Sequence, residues 1–250
     1  MNTQHQLASQ LRILKLGGFL ESLDVRLKQA REEELAHLEF LQRMVQDEIE
    51  RREAKKLMNR IKGACFEEEK TLEGFDFTFN PKIRKAQMSE LSTCLFVEKK
   101  EHVLIYGPVG VGKTHIAQAL GHQACRKGYQ VLYAKTTKLL RGLFASRADQ
   151  SWEKRIRRYM KPDVLILDDF GLSPFTALQA EDIYELIAER HLKSSIIITS
   201  NRPPQDWLAL FPDPVVANSA LDRLSHNAHH VMIEGGESYR KKLSPGRTTC

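Results

Sequence analysis

Residues Val103 to Leu120 read VLIYGPVGVGKTHIAQAL, an apolar strand, a glycine-rich turn and the start of a helix. The central eight residues, Gly107, Pro108, Val109, Gly110, Val111, Gly112, Lys113 and Thr114, match G-x-x-x-x-G-K-[ST]. That spacing constrains the fold more than any other feature of the chain. The glycines let the backbone curl until its N–H groups converge on a triphosphate, and the helix that follows turns its positive end toward the same anion. Lys113 is placed to reach the β- and γ-phosphates, and Thr114 to offer its hydroxyl to Mg²⁺. ATP with Mg²⁺ is therefore the expected ligand.

From Glu101 onward the pattern is α/β. Apolar runs HVLIY, YQVLYA, DVLILDD and SSIIITSN alternate with helical stretches, which implies a mainly parallel sheet covered on both faces. Ligands in such folds bind at the carboxyl ends of strands. Lys113, Asp168 and Asn201 each fall at or just beyond such an end. Asp168 is expected near the Mg²⁺ held by Thr114, with Asp169 beside it to polarise a water molecule. Asn201 could hydrogen-bond both the γ-phosphate and that water.

The first sixty or so residues read as helical. Leu7, Leu11 and Leu14 recur at helix spacing, Gly17-Gly18 break the pattern, and Leu20, Leu23 and Leu27 start a second helix. Leu38, Leu41, Val45 and Ile49 mark the apolar stripe of a third, whose far end carries Arg51, Arg52, Lys55, Lys56, Arg60 and Lys62. A join follows, in which Phe75, Phe77 and Phe79 alternate at strand spacing. The expected division is a small helical N-terminal domain over 1–66, serving assembly, DNA or partner contact, and an ATPase domain over 67–250. GRTTC at the C-terminus reads as a short loose end.

Charge is distributed unevenly. The formal net charge of the chain is +6, yet nine Lys/Arg fall between Lys135 and Lys161 against only Asp149 and Glu153. Lys135, Lys138, Arg141, Arg147, Lys154, Arg155, Arg157 and Arg158 are the candidate contacts to nucleic-acid phosphates, with Trp152 and Tyr159 placed for stacking. The competing reading is helix packing: Leu139, Leu140, Leu143 and Phe144 are spaced to bury one face, and Trp152 could anchor the next helix. The four cysteines form no C-x-x-C pair, and no apolar run approaches a membrane span. The polar start lacks the features of a signal peptide, so the cytoplasm is the expected compartment.

Taken together, the glycine-rich loop, the DD strand end and the TSN strand resemble an AAA+ ATPase core. LDRL (Leu221 to Leu224) and SYR (Ser238 to Arg240) resemble its DnaC/IstB branch, and TLEGFDFTFNPKI with LILDDFG resemble IstB-like transposition helper ATPases. The resemblance implies an arginine finger at Arg223, acting on a neighbouring subunit's nucleotide, and a second sensor at Arg240, acting on the subunit's own. It also implies an ATP-dependent homo-oligomer on double-stranded DNA that recruits or stimulates a partner transposase, with hydrolysis controlling release. The basic segment would be the branch's helical insertion that touches nucleic acid. Two departures stand out: Asp169 lies where many relatives have Glu, which implies slow basal hydrolysis, and only 49 residues follow Asn201, too few for a separate helical lid.

Three other readings share these motifs. A DnaC-like replicative helicase loader has nearly the same core and would prefer single-stranded DNA. A small-molecule kinase uses the same loop, and its ATP consumption would respond to a metabolite. A DNA-coating protein that barely hydrolyses ATP differs from the leading reading only in rate.

Overall fold

The computed structural model describes residues 3–78 and 83–235 and divides the chain into two compact units, 1–59 and 60–250. The first unit is built from helices α1 (Thr3–Ile13), α2 (Gly17–Glu32) and most of α3 (His37–Ala64). Its core is small: Leu11, Leu23 and Met44 are buried, with Leu16, Phe19, Leu20, Leu27 and Phe40 packed around them.

One expectation for this unit needs correction. Gly17 and Gly18 do not merely interrupt a helical pattern; they are the first turn of α2. A Cβ on Gly18 would lie 2.5 Å from the Glu48 Cα, so only glycine lets the two backbones approach this closely. Glu48 is buried and accepts a hydrogen bond from the Gly18 N–H, capping the positive end of α2. The periodic residues Leu38, Leu41, Val45 and Ile49 do form a helix, but they are exposed, Leu38 by 81%. Met44 and Glu48 mark the buried edge of α3, because the ion pairs Arg26–Asp47 and Arg51–Glu21, the Glu48 cap and the Gly18 contact fix the helix's rotation.

The second unit begins with short helices α4 (Lys85–Ser92) and α5 (Leu95–Glu98). It continues through β1 (His102–Tyr106), α6 (Lys113–Arg126), β2 (Val131–Lys135), α7 (Thr136–Ala148), α8 (Trp152–Met160), β3 (Val164–Phe170), α9 (Ala177–Arg190) and β4 (Ser195–Ser200). A 3-10 helix (Pro204–Leu210), α10 (Pro214–Ser225) and β5 (Ala228–Met232) complete it. The five strands form one sheet in the order β2-β3-β4-β1-β5, parallel throughout. Runs such as Ile196-Ile197-Ile198, wholly buried, are what a strand covered on both faces requires. No strand forms over Phe75 and Phe77; a turn closed by the Asp76 carboxylate on the Thr78 N–H replaces it, and Phe79 lies outside the described residues.

One buried side chain ties the far end of the sheet together. Arg190, 0% exposed, donates to the carbonyls of Tyr159, Met160, Pro162, Asp163 and Ser195, fastening the end of α8 and the starts of β3 and β4 to α9. Among the described residues no helix is long and apolar enough to cross a membrane.

Candidate nucleotide site and basic surface

The loop between β1 and α6 is shaped by its glycines. Gly107, Gly110 and Gly112 have φ of 152°, 83° and 96°. Gly112 is the N-cap of α6, and a Cβ there would be both strained and 2.9 Å from the Phe75 ring. The Lys113 ammonium, nearly buried, donates to the carbonyls of Gly107 (2.9 Å) and Pro108 (2.6 Å), so the loop is wrapped around its own cation.

Asp168 ends the apolar part of β3 at 1% exposure. Its carboxylate accepts the Thr114 hydroxyl (2.9 and 3.1 Å), the Tyr133 hydroxyl (2.7 Å) and the Thr199 hydroxyl. Burial and the Asp168 bond push the Tyr133 hydroxyl well above the usual tyrosine range, so it stays a donor. Thr114 and Asp168 together offer hard oxygen ligands without nitrogen or sulfur, a donor set that suits Mg²⁺, which keeps most of its waters and takes few protein ligands.

Beyond Leu167 the pairing of β3 with β4 slips, a bulge that spans the two aspartates. Asp169 adopts φ 57°, a left-handed conformation that aspartate tolerates better than most residues. The peptide joining the two aspartates is gripped on both edges: Thr136 Oγ1 donates to the Asp168 carbonyl (2.9 Å), and Thr199 Oγ1 accepts from the Asp169 N–H (3.0 Å). Asp169 also lines a pocket of about 290 Å³ with Thr136, Leu140, Arg141, Phe144 and Gln179.

Asn201 follows β4 directly, next to the loop's start, where the Gly107 N–H donates to the Ser200 carbonyl (3.3 Å). Lys113, Thr114, Asp168, Asp169 and Asn201 thus share the carboxyl edge of the sheet. Arg223, on α10, bonds Ser219 and lies 5.5 Å over the Tyr184 ring. Arg240 lies outside the described residues.

Residues 66–78 form a strap along α6. Phe66 stacks on His122, Gln118 accepts from the Glu67 and Glu68 N–H groups, and the His115 ring meets the Thr71 carbonyl at 3.0 Å. Glu67 pairs with Lys135 (2.7 Å) and Lys138 (3.5 Å), and the Lys135 hydrogen bond holds its carboxyl below the usual range.

The basic segment forms α7 and α8, and its residues divide by role. Leu139, Leu140 and Leu143 are buried, whereas Phe144 is 61% exposed. Arg147 turns inward, clasping Asp182 at 2.7 and 2.9 Å, and Trp152 donates to the same carboxylate at 2.9 Å beneath the guanidinium. Both candidates for nucleic-acid contact are therefore engaged with α9, because a 1% exposed aspartate demands compensation. Tyr159 packs partly buried against the core. Arg157 pairs with Glu153 one turn away, and Arg158 lies 3.7 Å from the Cys65 sulfur. Arg141, Lys154 and Arg155 have no ion pair among the described residues.

Tyr133, Thr136, Thr199 and Glu67 escaped the sequence reading. The signal for two of them was present: Tyr133 and Thr199 are polar groups near the carboxyl ends of otherwise apolar strands, where a parallel sheet places its ligands.

The sheet order, the glycine-rich loop and the Thr114–Asp168 pair define a P-loop nucleotide-binding protein of the AAA+ type. Known structures agree on the fold. AMPPCP-bound DnaA from Aquifex aeolicus matches 72% of this chain and 54% of its own with a TM-score of 0.57 at 24% identity. DnaI matches 66% of this chain and 91% of its own, with a TM-score of 0.58 at 20% identity. The chain belongs to the IstB-like ATP-binding protein family, whose pattern it matches over residues 9–245. It is 50% identical to an insertion-sequence ATP-binding protein of Mycobacterium tuberculosis over 97% of both chains. It is 39% identical to the IS21 ATP-binding protein of Pseudomonas aeruginosa, over 97% of this chain and 90% of that one.

Proposed function

We propose that this protein is an ATP-hydrolysing transposition helper that assembles on duplex DNA in the ATP-bound state and passes that DNA to a partner transposase. The observation that carries the reading is the Thr114–Asp168 pair with Asp169 in the bulge beside it, in a chain whose full-length relatives are insertion-sequence ATP-binding proteins.

Within that reading, Lys113 exchanges its two carbonyl partners for phosphate oxygens, and the α6 N-terminus adds its positive end. Thr114 and Asp168 would hold Mg²⁺, which would neutralise charge on the phosphates. Tyr133 and Thr199 keep the Asp168 carboxylate oriented. Asp169 accepts a hydrogen bond from the attacking water, whose oxygen bonds to the γ-phosphorus as the bond to the β-bridging oxygen breaks. Asn201 reports the γ-phosphate. Arg223 on α10 serves a neighbour's nucleotide, and Arg240 the subunit's own. Residues 1–66 serve assembly or partner contact, and 67–250 carry the ATPase. The outward cations of α7 and α8 meet DNA phosphates, so binding weakens steeply with salt.

The test is ATP hydrolysis with and without duplex DNA, alongside sedimentation in ATP and in ADP. Duplex-stimulated turnover with ATP-dependent assembly is the expected result. A monomer indifferent to DNA overturns the reading, and a preference for single-stranded DNA turns it toward a helicase loader. Mixing Lys113→Ala with Arg223→Ala protein is expected to restore part of the activity, one subunit supplying the loop and the other the finger.

A further inference from the structure

The peptide between Asp168 and Asp169 is held on one edge by a residue of α7 and on the other by a residue of β4. We infer that Thr136 is a positioning residue for hydrolysis, through which a polyanion seated on α7 sets the placement of Asp169. The inference rests on the proposed ATPase reading and adds the route by which DNA reaches the site.

Three observations carry it. First, Thr136 is the opening residue of α7 and is 1% exposed, and its hydroxyl bonds the Asp168 carbonyl rather than any carboxylate. It therefore acts on the orientation of the peptide plane. Asp169 sits at φ 57° just past that plane, and a left-handed residue in a bulge persists only where its surroundings hold it. Second, the opposite edge of the plane is fixed by Thr199, whose hydroxyl also touches the Asp168 carboxylate. The β4 side of the grip is thus part of the nucleotide site, and the α7 side belongs to the helix that also carries Arg141. Third, Arg141 lies five residues along α7 from Thr136, lines the same pocket as Asp169, and has no ion pair among the described residues. A phosphate drawn to Arg141 pulls on the helix whose first residue holds the catalytic peptide.

The variants are Thr136→Val, which keeps the shape and removes the hydroxyl, and Thr136→Ser, which keeps the hydroxyl. Thr136→Val is expected to lower kcat for ATP about ten- to a hundredfold by misplacing Asp169, with KM changed less than about twofold because Lys113 and Thr114 are untouched. Thr136→Ser restores kcat. A uniform structural weakening would move both parameters and would not be rescued by serine.

A second readout needs no turnover. Amide hydrogen exchange over residues 167–173, in protein without nucleotide, is expected to quicken in Thr136→Val and return in Thr136→Ser. Duplex DNA is expected to slow exchange there in the parent and in Thr136→Ser, but not in Thr136→Val or Arg141→Gln. Parent-like exchange and kcat in Thr136→Val overturn the grip. DNA that binds the parent without changing this peptide overturns the coupling. A parent that hydrolyses no ATP overturns the proposed function instead, and the exchange comparison still decides whether Thr136 holds the peptide. Should Thr136→Val fail to fold, Thr136→Ser against Arg141→Gln decides the coupling by the same exchange measurement.

Discussion

Asp168 at the end of β3 and Asp182 in the middle of α9 are each 1% exposed, yet the protein treats them in opposite ways. Asp182 is compensated: a guanidinium clasps it with two bonds and an indole N–H adds a third. Asp168 receives neutral hydroxyls, from Thr114, Tyr133 and Thr199, and no ion pair among the described residues. A buried carboxylate with its cation already in place is a structural joint. One ringed only by neutral hydroxyls has the donor set expected of a site for a hard divalent cation. The same residue type thus separates the part of the molecule that must stay fixed from the part that must bind.

That contrast can be tested from its strongest consequence down. Asp168→Asn is expected to cut ATP turnover by several kcal/mol of barrier, about a thousandfold, while urea unfolding shows stability unchanged or raised. If Asp168→Asn unfolds as easily as an Asp182 variant, the distinction collapses. Arg147→Ala leaves Asp182 buried without its cation, with only the Trp152 N–H still bonded to it, and is expected to cost about 3 kcal/mol of unfolding free energy. It should affect DNA affinity far less than Arg141→Gln or Lys154→Gln, as anisotropy titrations at low salt would show.

His102 extends the comparison to a buried base. It is 1% exposed, and burial pulls its pKa down to about 4 from an ordinary 6.5. The unfolded chain therefore takes up a proton between those values while the folded one does not, so stability falls as pH drops from about 6.5 toward 4. By pH 5 the loss is about 2 kcal/mol, and His102→Gln is expected to flatten that part of the profile in thermal melts.

The smallest effect is at Glu67, an exposed-edge carboxylate already paired with Lys135 and Lys138. Removing its charge in Glu67→Gln is expected to raise duplex affinity about three- to fivefold at low salt and negligibly at high salt. Unchanged affinity would mean that these lysines do not face the DNA.

How much of this was written in the sequence depends on how local the cause is. The loop, the strand ends at Asp168 and Asn201, and the two helices of the basic segment follow from spacing and apolar runs within a few residues. The strand at Ala228–Met232 was not legible, because AHHVM sits at the sheet edge and shows only Val231 as buried. Which side of α3 is buried was hidden for another reason: periodicity marks a helix, but its rotation is set by Gly18 and Glu48, thirty residues apart. The inward turn of Arg147 was equally hidden, since Asp182 lies 35 positions away on another helix. Thr136 needed the bulge, which no composition reveals.

The five carbonyls gathered by Arg190 have a mechanical meaning. They anchor the far end of α8, and the Asp182 clasp pins the junction between α7 and α8. The remaining end of the pair, at Thr136, is tied to the Asp168 peptide by a hydroxyl bond. α7 is therefore a rod about 20 Å long, clasped near one end at Asp182 and bonded at the other to the peptide between Asp168 and Asp169, so the two buried aspartates are mechanically linked through a single helix.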